Sequence, residues 1–337
     1  SIPTGLAANF NAEDGTFTIE NASSSSATML DLENVLKKVV YTNNSEDPSK
    51  DNRDISINIF DDQDASSIVL FKKIEWVEAN LLNISELDFA FQGIIKVYHC
   101  AAWISFNPKY KGKMMQTNIV GTTNVVNLCL ARRIHKLCHV SSVASLGRPR
   151  DSSSTNENTP WLNGPENSYY ALSKYHSEME VWRGIEEGLN AVIICPAIIL
   201  GPGKWEKGSS MLFKQVWKGL SFYTSGTNGF VDVRDVVNVM IQLMKGKIKS
   251  ERFIICSENI PFKKTFDYVA EALGKEKPHI KVGPFLCAVS WRIAKIVSII
   301  RGKSPLITKE TVLAGNSISV YDNKKISNIL KNSSKYV

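Results

Sequence analysis

The stretch NAVIICPAIILG (190–201) is a near-continuous apolar run closed by a glycine. Rich in β-branched residues, it has the character of a strand buried on both faces of a parallel sheet. ERFIICSE (251–258) repeats that character. Working outward, KIEWVEANL (73–81), KVYHCAA (96–102) and HKLCHVSS (135–142) also read as strands. Helical patterns separate them. SELDFAFQG opens with Ser85 as cap, has Asp88 three residues on and closes at Gly93. A longer helix is expected from about Lys113 to Arg133, and another begins in NSYYALSKYHSEMEVW (167–182). The alternation predicts an α/β fold, a doubly wound parallel sheet with right-handed crossovers. In such sheets ligands bind beyond the carboxyl ends of the strands. Beyond about residue 203 the pattern is less regular, which marks a smaller region packed on the sheet.

Composition narrows the function. The 337 residues are 43% hydrophobic and 22% charged, ordinary values for a globular chain. The net charge of +7 comes from scattered lysines without a run of five, which argues against nucleic acid. None of the six cysteines, Cys100, Cys129, Cys138, Cys195, Cys256 and Cys287, forms a C-x-x-C pair, and nearly all sit in apolar runs. They read as reduced core residues of a cytoplasmic protein. The five histidines lack metal-ligand spacing, so no metal is expected. SIPTGLAANF has neither the basic start nor the apolar core of a signal peptide. FLCAVSWRIAKIVSII (285–300), interrupted by Arg292 and Lys295, is too short and charged to span a bilayer and reads as an amphipathic cover for a pocket or core.

Tyr170 and Lys174 lie four apart in the second long helix and so share a face, whereas Tyr169 points about 100° away. Alone, such a pair is ordinary packing. Here it follows a strand ending in Ser141 and Ser142 and precedes a strand that turns at Gly-Pro-Gly. A phenol with pKa about 10 becomes a useful acid or base when an ammonium lowers that value.

With VYHCAA and TNIVGTTNVV, this ordered set resembles the extended short-chain dehydrogenase/reductase family (the NAD-dependent epimerase/dehydratase superfamily) over about residues 71–330. It is most similar to the dihydroflavonol-reductase-like and 3β-hydroxysteroid-dehydrogenase-like branch. The resemblance implies a Rossmann-type nucleotide domain over 1–202, its first 70 or so residues atypical. A mainly substrate-binding region over 203–337 is implied as well, with 229–258 returning to the sheet. It further implies an oxidoreductase that interconverts a secondary alcohol and a carbonyl on a small, fairly apolar substrate, with NAD or NADP as cofactor.

By the same resemblance Ser142, Tyr170 and Lys174 are catalytic, Ser142 chosen because it lies five residues before Gly147. Tyr170 and Lys174 also meet the cofactor, Lys174 at the ribose hydroxyls. Asn118 is implied near the nicotinamide ribose, and Cys100, Ala101 and Ala102 at a strand end the dinucleotide approaches. Asn80 and Leu81 are implied beside the adenine, and Pro196, Ala197, Ile198 and Ile199 at the carboxamide. Asp235 is expected to cap a helix. The two long helices match the family's dimerising pair, implying a homodimer. Trp205, Phe213, Trp217, Phe222 and Tyr223 offer walls for an apolar pocket or belong to the core.

The family's T-G-x-x-G-x-x-G phosphate loop is where the chain departs. Thr4 and Gly5 would supply its start, but Ala8 and Asn11 occupy the later glycine positions. Either the loop is rebuilt, or the cofactor has been lost to a nucleotide-sensing or partner-binding module, or this segment is foreign to the natural chain. Glu20, ending TFTIE, favours NAD if that is the second strand of the motif. A nucleotide-sugar epimerase or dehydratase uses the same Tyr and Lys, but Cys195 stands where that branch often has Arg; Arg234 is the remaining candidate for a diphosphate.

Overall fold

The computed structural model describes residues 6–10, 17–21, 53–57, 70–74, 76–105, 107–149, 154–164, 167–203, 205, 208–283, 292 and 315–333. The chain forms two compact units, Ser1–Glu78 and Ala79–Val337.

In the first unit, β1 (Leu6–Phe10) pairs antiparallel with β2 (Phe17–Asn21), and β3 (Arg53–Ile57) pairs antiparallel with β4 (Leu70–Ile74). TFTIE is therefore a strand, but a hairpin strand, not the second parallel strand of a dinucleotide motif. Ala8 lies within β1, so the loop reading of that position is corrected; Gly5 is outside the described residues. The strand expected over 73–81 stops at Ile74, and 76–80 has no regular structure. Its end is drawn into a turn instead: the Asn80 N–H donates to Glu86 Oε2 (2.7 Å), and the Asn80 carbonyl accepts from Asn83 N (2.9 Å).

The second unit is built on a parallel sheet of β5 (Lys96–His99), β6 (Lys136–Val140), β7 (Ala191–Pro196) and β11 (Glu251–Ile255), in the order β11-β7-β6-β5. After Pro196 the chain passes into a smaller sheet of β8 (Ile198–Leu200), β10 (Thr227–Asp232) and β12 (Glu258–Pro261), ordered β12-β10-β8. A further parallel pair joins β9 (Phe222–Tyr223) to β13 (Ile280–Lys281).

Every residue of β7 is buried, and the period of two sorts its side chains between two cores. Ala191, Ile193 and Cys195 face one cluster with Val125, Val126 and Val181; Val192 and Ile194 face another with Val239, Leu243 and Met244. Each of these branched aliphatics contributes roughly 1.5–3 kcal/mol on burial. Helices thus cover both faces of the sheet, as the apolar runs require.

The first face carries α1 (Ile84–Ala90), α3 (Gly121–Ala131) and α4 (Tyr169–Glu186). The cap of α1 is Asn83, not Ser85: its side chain accepts from Ser85 N and Glu86 N, and Glu86 returns to Asn83 Nδ2 (2.6 Å). Asn83 thus satisfies the first free N–H groups of the helix, while Glu86 holds the cap through its side chain and through Asn80 N. Ahead of α3 run α2 (Lys111–Met115) and a π turn (Gln116–Val120), so the first long helix is wider at its middle. Gly184 lets α3 and α4 touch, since a Cβ there would lie 2.5 Å from Val126 Cγ1.

On the other face α6 (Val233–Lys245) is capped by Asp232, which accepts from Arg234 N (2.8 Å). Asp235, expected as the cap, sits in the first turn because the helix starts two residues earlier. The remaining helices are α5 (Met211–Trp217), α7 (Phe262–Ala272) and α8 (Lys324–Ser333), and α8 places Ile326 in the second core. Stretch 285–300 is outside the described residues apart from Arg292, as is Cys287. Among the described residues no helix is long and apolar enough to cross a membrane. Cys129, Cys138, Cys195 and Cys256 are buried thiols, whereas Cys100 is exposed beyond the end of β5.

Candidate active site

Three elements meet at the carboxyl end of β6. The strand leads through Ser141 and Ser142 into a 3-10 turn (Val143–Ser145). Ser142 is extended (φ −164°, ψ 152°), so consecutive serines point to opposite sides. Ser141 is buried with its Oγ on Glu178 Oε2, 2.6 Å away. The Ser142 side chain accepts from Ala144 N (3.2 Å) and pulls the Tyr170 phenol downward.

Tyr170 stands in the first turn of α4, whose N-cap Ser168 accepts from Ala171 N at 3.1 Å. Its neighbour Tyr169 points elsewhere, with Lys111 Nζ 4.0 Å from its ring centroid. One turn beyond Tyr170, Lys174 is 2% exposed and donates from Nζ to the Val140 carbonyl at 2.8 Å. Burial lowers the Lys174 pKa to about 8, opposed by Cys195, Glu178 and Cys100. The Cys195 thiol is itself pushed well up by burial and stays neutral, so Glu178 is the charge that supports the ammonium. Burial raises the Tyr170 phenol, and the Ser142 hydrogen bond pulls against it. Desolvation therefore dominates at Tyr170, while the Lys174 ammonium gives one of its three donors to Val140.

The other residues fall around this centre. Asn118, in the π turn, is 2% exposed and clamps a loop: its Oδ1 accepts from Trp103 N (2.6 Å), while Nδ2 donates to Trp103 O (3.0 Å) and Ser173 Oγ (2.9 Å). Cys100, Ala101 and Ala102 form an exposed ledge of small side chains beyond β5. Asn80 spends its Oδ1 on Leu82 N (3.0 Å), and the Leu81 carbonyl accepts from Asn124 Nδ2 (2.9 Å). Pro196 and Ala197 are buried, Ala197 N donating to Ile255 O (2.9 Å), and Ile198 and Ile199 are half-buried in β8.

Of the aromatic candidates, Phe213 packs in a third small core with Val216, Val269 and Ala270. Trp205 and Trp217 meet edge to face at 6.3 Å, Phe222 is exposed, and Tyr223 lies under Lys263 Nζ at 5.3 Å. Arg234 is paired with Asp232 (2.6 Å), which holds that carboxyl down at about 2.

Two buried groups escaped the sequence reading. His99 and His139 lie with ring centroids 5.2 Å apart under Lys174, and burial holds both neutral, His99 at about 4. The His99 Nε2 meets Thr122 Oγ1 at 2.9 Å, while both His139 nitrogens lack a partner among the described residues. Neither histidine has spacing that signals a site. Glu178 with Arg252 is the second group, and a signal existed: Tyr170, Lys174 and Glu178 recur at four-residue intervals on one helix face.

The donor set suits the nicotinamide end of a dinucleotide. A hydroxyl pair and an ammonium converge at a strand end, beside a ledge of small residues that lets a flat ring approach. A parallel α/β sheet with polar groups gathered at its carboxyl edge defines a protein of the nucleotide-binding, doubly wound class.

The NAD dependent epimerase/dehydratase family model matches residues 32–256, and the chain belongs to that family. Sterol demethylase protein B of Methylococcus capsulatus is 26% identical over 63% of this chain and 65% of its own length. The putative dihydroflavonol 4-reductase of Synechocystis is 24% identical over 75% of each chain. The chain thus spans just under two-thirds of the first of these relatives. Among solved structures, gox2253 is 25% identical with a TM-score of 0.65, covering 77% of this chain and 79% of that one. The UDP-glucose 4-epimerase of Thermotoga maritima shares the fold at 18% identity and a TM-score of 0.61, covering 76% and 78%.

Proposed function

We propose that the chain is an NAD(P)-dependent oxidoreductase that interconverts a secondary alcohol and a carbonyl on a small, fairly apolar molecule. The observation that supports this most is the buried Lys174 amine one helical turn beyond Tyr170, at the strand end that carries Ser142. The nicotinamide, when bound, supplies or accepts the hydride. Tyr170 exchanges the proton at the substrate oxygen, and Ser142 holds that oxygen beside the phenol. Lys174 offers an ammonium to the ribose and to the phenolate that forms during turnover. Cys100–Ala102 provide a ledge without bulk, and Asn118 fixes the following loop through Trp103.

Residues 1–202 would form the nucleotide side and 203–337 the substrate side, consistent with β11 returning to the main sheet. The relatives named as reductases and the decarboxylating sterol-carboxylate dehydrogenase of Bos taurus both motivate a screen that includes β-hydroxy acids as well as ketones. The nucleotide-sugar alternative has less support, because the buried Cys195 stands where that branch often has Arg.

The test is titration with NADH and NADPH, followed by nicotinamide fluorescence, for the wild type and Lys174→Ala. Binding weakened in the variant supports the reading and ranks NAD against NADP. A folded wild type that binds neither nucleotide overturns it in favour of a non-catalytic module.

A further inference from the structure

Behind the Ser142 turn lies a charge that the proton exchange does not use. Glu178 is 0% exposed, two turns beyond Tyr170 on the same face of α4. Its Oε2 accepts from Ser141 Oγ at 2.6 Å and from Ser145 Oγ at 2.7 Å. Those serines bracket the turn. Ser145 also donates its N–H to the Ser142 carbonyl (2.9 Å), and its single hydroxyl proton is shared between Glu178 Oε2 and that carbonyl, 2.7 Å from each. The other carboxylate oxygen, Oε1, accepts from Arg252 at 2.8 Å and from Trp182 Nε1 at 3.2 Å. Arg252 is anchored in turn on the Glu157 carbonyl.

Burying an ion pair is costly, and well-packed apolar residues of similar volume commonly stabilise a fold equally well. Stability is therefore a poor account of why a carboxylate sits here. Its geometry supplies another account: one oxygen ties together the two ends of the segment that presents Ser142.

We propose that Glu178, held by Arg252, is a positioning residue whose Oε2 fixes the 141–145 turn and so sets Ser142 Oγ against the Tyr170 hydroxyl. This rests on the oxidoreductase reading of Ser142 and Tyr170. Glu178 touches neither substrate nor cofactor; besides the charge it lends to Lys174, it acts through the two serines.

A Glu178→Met/Arg252→Met double variant removes both charges together and leaves neither buried alone. A melting temperature within about 3 °C of wild type is expected. Amide hydrogen exchange across residues 141–147 should quicken by ~10-fold or more as the turn loses its anchor. Turnover should fall by ~10²-fold, with the nucleotide KM changed less than about threefold, because orientation is lost and binding is not. Native exchange in the turn, or native kcat, overturns the proposal. Should the double variant not fold, Ser145→Ala removes one anchoring hydroxyl with the ion pair intact and is read by the same criteria. If the wild type turns over no carbonyl or alcohol, the oxidoreductase reading falls, while the exchange measurement still decides whether Glu178 sets the turn.

Discussion

Lys174 gives the sharpest quantitative test. In the fold its ammonium is disfavoured by burial, which lowers the pKa from 10.5 to about 8. Below pH 8 both folded and unfolded chains hold the proton, and the fold bears the whole cost of the buried charge. Between about 8 and 10.5 the unfolded chain keeps a proton that the folded chain has lost, so stability rises with pH. At about 1.4 kcal/mol per pH unit, the interval corresponds to roughly 3 kcal/mol. Urea unfolding of wild type and Lys174→Met, from pH 7 to pH 11, isolates the contribution, since other titrations cancel in the difference. The wild type should gain roughly 3 kcal/mol relative to the variant across that range. A flat difference, or one that falls with pH, would refute a buried ammonium held against desolvation.

Gly147→Ala should destabilise severely, because a Cβ there would lie 1.7 Å from the Pro160 carbonyl oxygen, backbone against backbone. About 3 kcal/mol or more is expected, read as a lowered denaturation midpoint. Asn118→Ala frees both Trp103 backbone groups and should cost about 2 kcal/mol, with faster amide exchange at Trp103. Arg252→Met alone leaves Glu178 buried without its cation, and urea melts should report a loss of about 3–5 kcal/mol. Tyr170→Phe should cut turnover by about 10²–10⁴-fold while fluorescence-detected nucleotide binding stays within a factor of two or so.

What could be read from the sequence was what repeats or runs. Six consecutive buried residues in β7 leave no freedom about which kind of strand they form, and the alternation of such runs with helices dictates the sheet. The Tyr170–Lys174 spacing likewise brings both groups to one edge. Caps were harder, because Asn83 and Asp232 compete with equally good residues two or three positions on. Which of them wins depends on where the preceding turn delivers the chain. The strand expected over 73–81 failed for a related reason: its composition suits a ladder, but among the described residues none is offered to 76–80, and Asn80 turns toward Glu86. Desolvation was the least legible quantity. Lys174 and His139 are ordinary letters in the sequence, and only packing of α3 and α4 on the sheet makes their protonation states matter.

The outer side of β11 has a consequence for association between molecules. Among the described residues this strand is the last of its sheet, where unpaired backbone groups invite another strand to add. Here the Ile254 N–H donates to Glu157 Oε1 (2.9 Å), and the Arg252 carbonyl accepts from Lys325 Nζ (2.9 Å). An acidic side chain from a loop and a basic one from a helix take the donor and the acceptor that a foreign strand would need. An incoming peptide would have to displace both before gaining its first ladder bond, so this border of the sheet is closed to strand addition, and with it one route to aggregation.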